Sequence, residues 1–185
     1  MKRMIVLVVF GLIILPLVGC QGHSREEGRV NVTVEGGEFP AFLVGTWEAD
    51  QHDWAFTFDA NGNISTVVHT LWHVPIDMNK GFYFAEGIEE GTFAFFVMGD
   101  CEADYDAADR QLKVKIMMDS YEIKTSVGSL TGRSEDYFEG PVSEDGTLWQ
   151  VRWRGYGYLN GATPPDINNI NANPEPLVFA KIESE

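Results

Sequence analysis

From Phe42 onward, apolar and polar positions alternate with a period of two almost everywhere, and no convincing amphipathic helix interrupts them. The alternation predicts strands over 42–49, 54–59, 63–73, 81–86, 91–105, 110–123, 130–144, 147–159 and 176–183. Aromatic and β-branched residues are plentiful in these segments, and both suit a pleated, half-buried surface. Polar, Gly-containing turns separate successive strands, so neighbours in sequence are expected to pair as antiparallel hairpins.

Two hairpins can be placed in register from side-chain chemistry. With Asp106-Ala107-Ala108-Asp109 as the turn, Tyr105 faces Arg110, Glu102 faces Lys113 and Asp100 faces Lys115. Ala103 then meets Leu112 and Cys101 meets Val114, so opposite charges share one face and apolar residues the other. A slip by one residue would drive charge into the core, which specifies the face strongly. In the second hairpin, Asp145-Gly146 is a two-residue type I′ turn signal. It sets Val142 against Trp149, Glu139 against Arg152 and Phe138 against Trp153. Asp59-Ala60-Asn61-Gly62-Asn63 reads as a third turn, since it lacks the alternating ligands and twelfth-position Glu of an EF-hand loop.

Eight or nine strands joined this way predict an all-β fold. The expected architecture is a single antiparallel up-and-down β-barrel, with an open, strongly curled sheet or a β-sandwich as the alternative. Closure pairs the last strand, around Leu177–Ile182, with the first and removes both exposed edges.

The N-terminal segment is of another kind. Met1-Lys2-Arg3 is followed by an uncharged apolar run, Met4–Val18, of fifteen residues. A membrane span needs roughly 20 apolar residues. A basic start and a short apolar run are instead the layout of a cleavable export signal. Leu17-Val18-Gly19-Cys20 resembles the lipobox of bacterial lipoproteins. That resemblance implies cleavage before Cys20, acylation of Cys20 by palmitate-like chains, and a lipid-anchored place in the cell envelope. Gln21, where Asp would favour the inner membrane, points to the outer membrane in a Gram-negative host. The expected organisation is a signal peptide at 1–19, an anchor and tether at 20–38, and a barrel domain at 39–185. Val30, Val32 and Val34 alternate with polar residues, so this part of the tether reads either as linker or as an edge strand.

Charge narrows the partners. The chain carries a formal −15, and loss of Lys2 and Arg3 with the leader makes it −17. Such a surface repels nucleic acid, whose binding needs clustered Lys and Arg, so membrane attachment must come from the lipid. Cys101 is the one cysteine besides Cys20 and is expected to be a buried small hydrophobe.

Phe42-Leu43-Val44-Gly45-Thr46-Trp47, followed by Phe56-Thr57-Phe58-Asp59-Ala60-Asn61-Gly62, resembles the opening of bacterial lipocalin-like domains. The resemblance implies that Trp47 closes the bottom of the barrel against a basic residue near the end of the last strand. Lys181 is the candidate, with its cation over the indole face. The resemblance suggests a fold and not a ligand.

Candidate chemistry is sparse. His69 and His73 lie four apart; on one strand they would stand about 13 Å apart, too far for one zinc ion. His52 belongs to a loop that could reach the barrel mouth beside them. The acidic stripe Asp100, Glu102, Asp104 is too spread to wrap calcium unaided and reads as a Lys-paired outer face. Ser129 lacks the flanking glycine of a hydrolase elbow, and no other nucleophile stands out. Arg152, Arg154, Tyr156 and Tyr158 share a face and form an outward ladder, suited to a carbohydrate or protein contact. The segment 160–175 precedes the closing strand and reads as a solvated crossover or a lid.

These features lead to a non-catalytic, ligand-binding β-barrel lipoprotein without metal or cofactor. It is expected to hold a small apolar or amphipathic molecule among Trp47, Trp54, Phe56, Phe93, Phe95, Trp149 and Trp153. The alternative is an envelope interaction module, a scaffold or inhibitor, in which the same aromatics simply fill a small barrel.

Overall fold

The computed structural model describes residues 30–33, 39–70, 73–159 and 174–182. The expected signal peptide, Cys20 and the segment 160–173 lie outside the described residues. Among the described residues there are twelve strands: β1 (Val30–Thr33), β2 (Gly45–Ala49), β3 (Ala55–Phe58), β4 (Ile64–Val68), β5 (Pro75–Asp77), β6 (Phe82–Glu86), β7 (Phe93–Met98), β8 (Glu102–Asp106), β9 (Gln111–Thr125), β10 (Gly128–Pro141), β11 (Leu148–Leu159) and β12 (Glu175–Ile182). A 3-10 turn, Ala41–Leu43, precedes β2.

The path β1-β8-β9-β10-β11-β12-β2-β3-β4-β5 curls into a nearly closed, barrel-shaped sheet of ten strands. All its pairs are antiparallel except β1, which runs parallel to β8. Of the two readings of the segment around Val30–Val34, Val30–Thr33 thus takes the edge-strand one. As expected, the closing strand β12 pairs with β2, setting Phe179 against Ala49 and Lys181 against Trp47.

Strand β9 is long enough to carry two partners end to end on one edge. Its first half pairs with β8 and its second half with β7, whose other edge takes β6. The expected single strand 91–105 is thus two. The register shifts between Val97 and Met98, and residues 99–101 leave the ladder. This break, the short β5 and the N-terminal strand β1 raise the strand count above the eight or nine expected.

The Asp145-Gly146 hairpin has the expected register: Val142 pairs with Trp149, Glu139 with Arg152 and Phe138 with Trp153. The β8–β9 hairpin differs by two residues. Asp106 pairs with Gln111, Tyr105 with Leu112, Asp104 with Lys113 and Glu102 with Lys115. Arg110 belongs to the turn, in a left-handed conformation (φ 52°), and its guanidinium donates to the carbonyls of Val142 and Ser143. A slide of two keeps every side chain on its face, so the charge pairing and the apolar face survive.

At the Asp59 turn the carboxylate accepts hydrogen bonds from the backbone N–H groups of Asn61 (2.8 Å) and Asn63 (2.9 Å). Slight burial pushes its pKa up, but the bonds from Asn63 and Asn61 outweigh that and hold it below the ordinary value. The lowered pKa contributes stability above the ordinary Asp range, lost as pH falls through the folded value. Asp59→Ala is expected to lower urea stability by about 1 kcal/mol at neutral pH. The difference should vanish in acid below that pKa.

Lys181 stands opposite Trp47, but its ammonium donates to the Phe42 carbonyl (2.8 Å). Trp47 Nε1 donates to the Leu43 carbonyl (2.9 Å). Both side chains therefore tie down the 3-10 turn at this end. The cations found over rings are instead Arg110 over Phe42 and Arg133 over Tyr158. Gly45 has φ 121°, and a Cβ there would lie 3.3 Å from Lys181 Cε, so the glycine gives the lysine stem its passage.

Candidate functional site

Inward-facing side chains of β2, β3, β10, β11 and β12 converge on Phe56. Its ring centroid lies 5.0 Å from Phe138, 5.3 Å from Phe179 and 5.9 Å from Trp54. Trp149 packs on Phe179 at 4.9 Å. Trp47, Trp54, Phe56, Trp149 and Phe179 are fully buried in one core cluster, and Trp153 packs against it half-buried. Five of the seven expected ligand-lining aromatics, Trp47, Trp54, Phe56, Trp149 and Trp153, are thus packed into or against the core.

The other two, Phe93 and Phe95, stand on the opposite face of the sheet. Strand β7 buries Phe96 and Met98 inward. Phe93 and Phe95 face outward beside Phe82 and Phe84 of β6, with ring centroids 6.0–6.4 Å apart. The sequence Phe93-Ala94-Phe95-Phe96-Val97-Met98 is apolar on both faces, so its periodicity does not choose between them.

Above the aromatic layer lies a buried polar cluster that the sequence reading missed. Ser134 and Asp136 project inward from β10, and His69 follows the end of β4; all three are at most 5% exposed. His69 Nε2 is 3.3 Å from Ser134 Oγ and 3.4 Å from Asp136 Oδ2. Trp153 Nε1 donates to Asp136 Oδ1 (3.1 Å), and the Trp54 ring lies 4.5 Å from the imidazole. Hydroxyl and carboxyl approach the same ring nitrogen, whereas a nucleophilic triad needs the acid on the other one. A Cβ on Gly155 would stand 2.6 Å from Asp136 Oδ1, so only glycine leaves room for this carboxyl. The parity of Phe138 and Val142 already put Asp136 and Ser134 on the core face, a signal available in the sequence.

The histidines do not share a strand. Strand β4 ends at Val68, and His73 N–H bonds back to the His69 carbonyl (3.0 Å), closing a turn. His73 pairs with Asp53 (2.8 Å), and His52 with Glu175 (2.8 Å) beside Trp153. The expected 13 Å separation on one strand is therefore replaced by a rim where each histidine has its own carboxyl partner. Among the described residues, no group of three or more His, Cys, Asp or Glu is arranged to hold a metal ion.

The outer face of β9, β10 and β11 carries the expected ladder through Arg152, Arg154 and Tyr156, but Tyr158 is only 5% exposed, with Arg133 over its ring. Glu139 is opposite Arg152, Tyr137 opposite Arg154 and Glu135 opposite Tyr156. Lys113 bonds Glu139 (3.1 Å). A groove of about 440 Å³ runs between Glu102, Asp104, Lys115, Tyr137, Arg154 and Tyr156. Burial, and next the Glu135 carboxylate, push the Tyr137 hydroxyl up to about 12, so it remains a hydrogen-bond donor at all physiological pH. Ser129 is exposed near Glu122, and Cys101 is buried with its thiol towards the Gly99 and Met117 carbonyls.

No protein-family model matches this sequence, and neither the curated proteins nor the solved structures provide a match.

Proposed function

We propose that the chain is an acylated envelope lipoprotein whose filled barrel serves as a rigid interaction module rather than as a carrier. The observation behind this reading is the packing of Trp47, Trp54, Phe56, Trp149 and Phe179, each with no measurable exposure. A carrier needs an interior void of several hundred Å³, and here the aromatics named for its lining occupy that space or face outward. The ladder of Arg152, Arg154, Tyr137 and Tyr156 is the working surface. Its alternating cations, carboxylates and phenols suit a polar protein or carbohydrate partner, with Tyr and Arg as the anchoring groups. Cys20, through the lipobox it ends, holds the module to the membrane, at the outer membrane in a Gram-negative host.

Denaturing extraction of the purified protein followed by mass spectrometry tests the reading. The expected result is no co-purifying small molecule and no saturable binding of a lipophilic dye. A stoichiometric apolar or amphipathic compound in the extract would return the barrel to the carrier class.

A further inference from the structure

The outer face of the β6–β7 hairpin has no function in the reading above. Phe82 and Phe84 are 49% and 52% exposed, and they stack beside the half-buried Phe93 and Phe95. A contiguous apolar patch of this size is often a functional surface. The apolar character continues to the tips at this end. Ile88, in the β6–β7 turn, and Val127, in the β9–β10 turn, are essentially fully exposed. The β6–β7 turn and the end of β9 border one shared groove.

Strand order puts this patch near the anchor's entry into the sheet. β8 and β7 lie end to end along one edge of β9. β1 pairs with β8 and β6 with β7, so β1 and β6 occupy the same next row. β1 runs parallel to β8, and its first residue, Val30, pairs with Ala103 at the end of β8 nearer β7. Phe82 pairs with Val97. Ala103 and Val97 are six residues apart in the chain, at most about 20 Å. Ten residue steps separate Cys20 from Val30, a reach of about 35 Å. The acylated cysteine thus holds the bilayer within range of the aromatic face.

We infer that the β6–β7 face, with Phe82, Phe84, Phe95 and the tips Ile88 and Val127, rests in the interfacial layer of the bilayer to which Cys20 is anchored. This rests on the lipidation reading. The four Phe side chains expose on the order of 300 Å², taking about 200 Å² for a whole residue. That is well below the roughly 800 Å² per partner of a stable protein interface. On a membrane a weak contact is enough, because the anchor keeps its effective concentration high. The headgroups it fits are zwitterionic. Glu86, Glu89 and Glu90 outnumber Lys124 around the patch, in a chain of formal charge −17 once the leader is lost, so an anionic surface repels it. Docking this side down points the tips into the headgroups and leaves the β9–β11 ladder turned towards partners.

The test uses the full chain purified from bacterial membranes and reconstituted in phosphatidylcholine vesicles. An environment-sensitive fluorophore is attached to Ile88→Cys, or to Glu144→Cys at the other end of the barrel. Cys101 is buried and an acylated Cys20 is blocked, so one label per chain is expected. The label at 88 should shift to the blue and be quenched at least twofold by lipids spin-labelled near the headgroup. The label at 144 should remain water-like. Phe84→Glu with Phe95→Glu should return the label at 88 to a water-like spectrum while the chain still floats with the vesicles. A water-like label at 88 on vesicle-bound wild-type background overturns the inference. So does a blue shift that appears without vesicles and grows with protein concentration, which marks self-association. A second label at Cys20 with the shift at 88 intact ends the lipidation reading alone. A chain that does not float with the vesicles ends both.

Discussion

Phe56→Ala is expected to lower the stability of the barrel by about 3–5 kcal/mol, whereas Phe95→Ala should cost less than about 1 kcal/mol. Both residues are phenylalanines on short strands that read as equivalent candidates for a ligand-binding interior. Phe56 has no exposed surface and touches rings contributed by three other strands: Phe138 on β10, Trp149 on β11 and Phe179 on β12. Its removal leaves a hole that these stiff aromatics cannot collapse to fill, so the cavity penalty adds to the transfer term. Among the described residues, Phe95 has ring contacts with Phe82 and Phe84 on the outer face, and it is already partly in water. Urea denaturation of the two variants beside wild type measures the contrast. Equal small losses would mean that the interior is already open around Phe56, which is the property of a carrier. The Phe56 variant should also gain binding of a small apolar probe such as benzene, because a dry cavity of that size accepts one.

How far this could be read from the sequence depended on what fixes each contact. The β10–β11 register was legible because Asp-Gly marks the place of the turn, although the turn closes from Ser143 to Gly146 with Gly146 at positive φ and Asp145 not, rather than as the expected two-residue type I′ turn. The β8–β9 register was legible only to within two residues. Residues 107–110 form the turn, and a slide of two restores the same faces and the same signs of charge. The closing pair β12–β2 followed from the need to remove edges. Phe93 and Phe95 were misplaced because their strand is apolar on both faces, so binary patterning holds no information there. The strand predicted through His73 stops at Val68, and the His73 N–H bonds back to the His69 carbonyl instead of to a ladder partner, a backbone bond that periodicity does not report. The polar cluster was half legible. Counting by twos from Phe138 puts Asp136 and Ser134 on the core face, a signal that went unread, but their partner His69 lies 65 residues before Ser134, and only the curled sheet brings it there.

His69→Leu is expected to cost about 3 kcal/mol, and most of that cost should disappear when Asp136→Asn is combined with it. Asp136 is 3% exposed, and its two oxygens are served unequally. Oδ1 accepts from Trp153 Nε1, while Oδ2 has no hydrogen bond and His69 Nε2 is its near polar neighbour at 3.4 Å. Leucine fills a volume similar to that of imidazole but offers Oδ2 nothing, leaving a buried carboxyl with one side unsatisfied. Removing one partner of a buried polar pair exposes the desolvation penalty of the other, about 1–3 kcal/mol and more where charge is involved. Asparagine keeps the volume and the oxygen that Trp153 needs, and removes the second carboxyl oxygen that faced His69. The cycle should therefore show a coupling of about 1–2 kcal/mol, within the range for residues sharing one network. Gly155→Ala provides an independent check on the same cluster. Its Cβ would sit 2.6 Å from Asp136 Oδ1 and 2.9 Å from the Trp153 ring, so it should disturb the Asp136–Trp153 bond without touching His69. Additive losses across the His69 and Asp136 variants would show that the two side chains act separately. The mouth of the barrel would then be held by its aromatic floor rather than by this polar cluster.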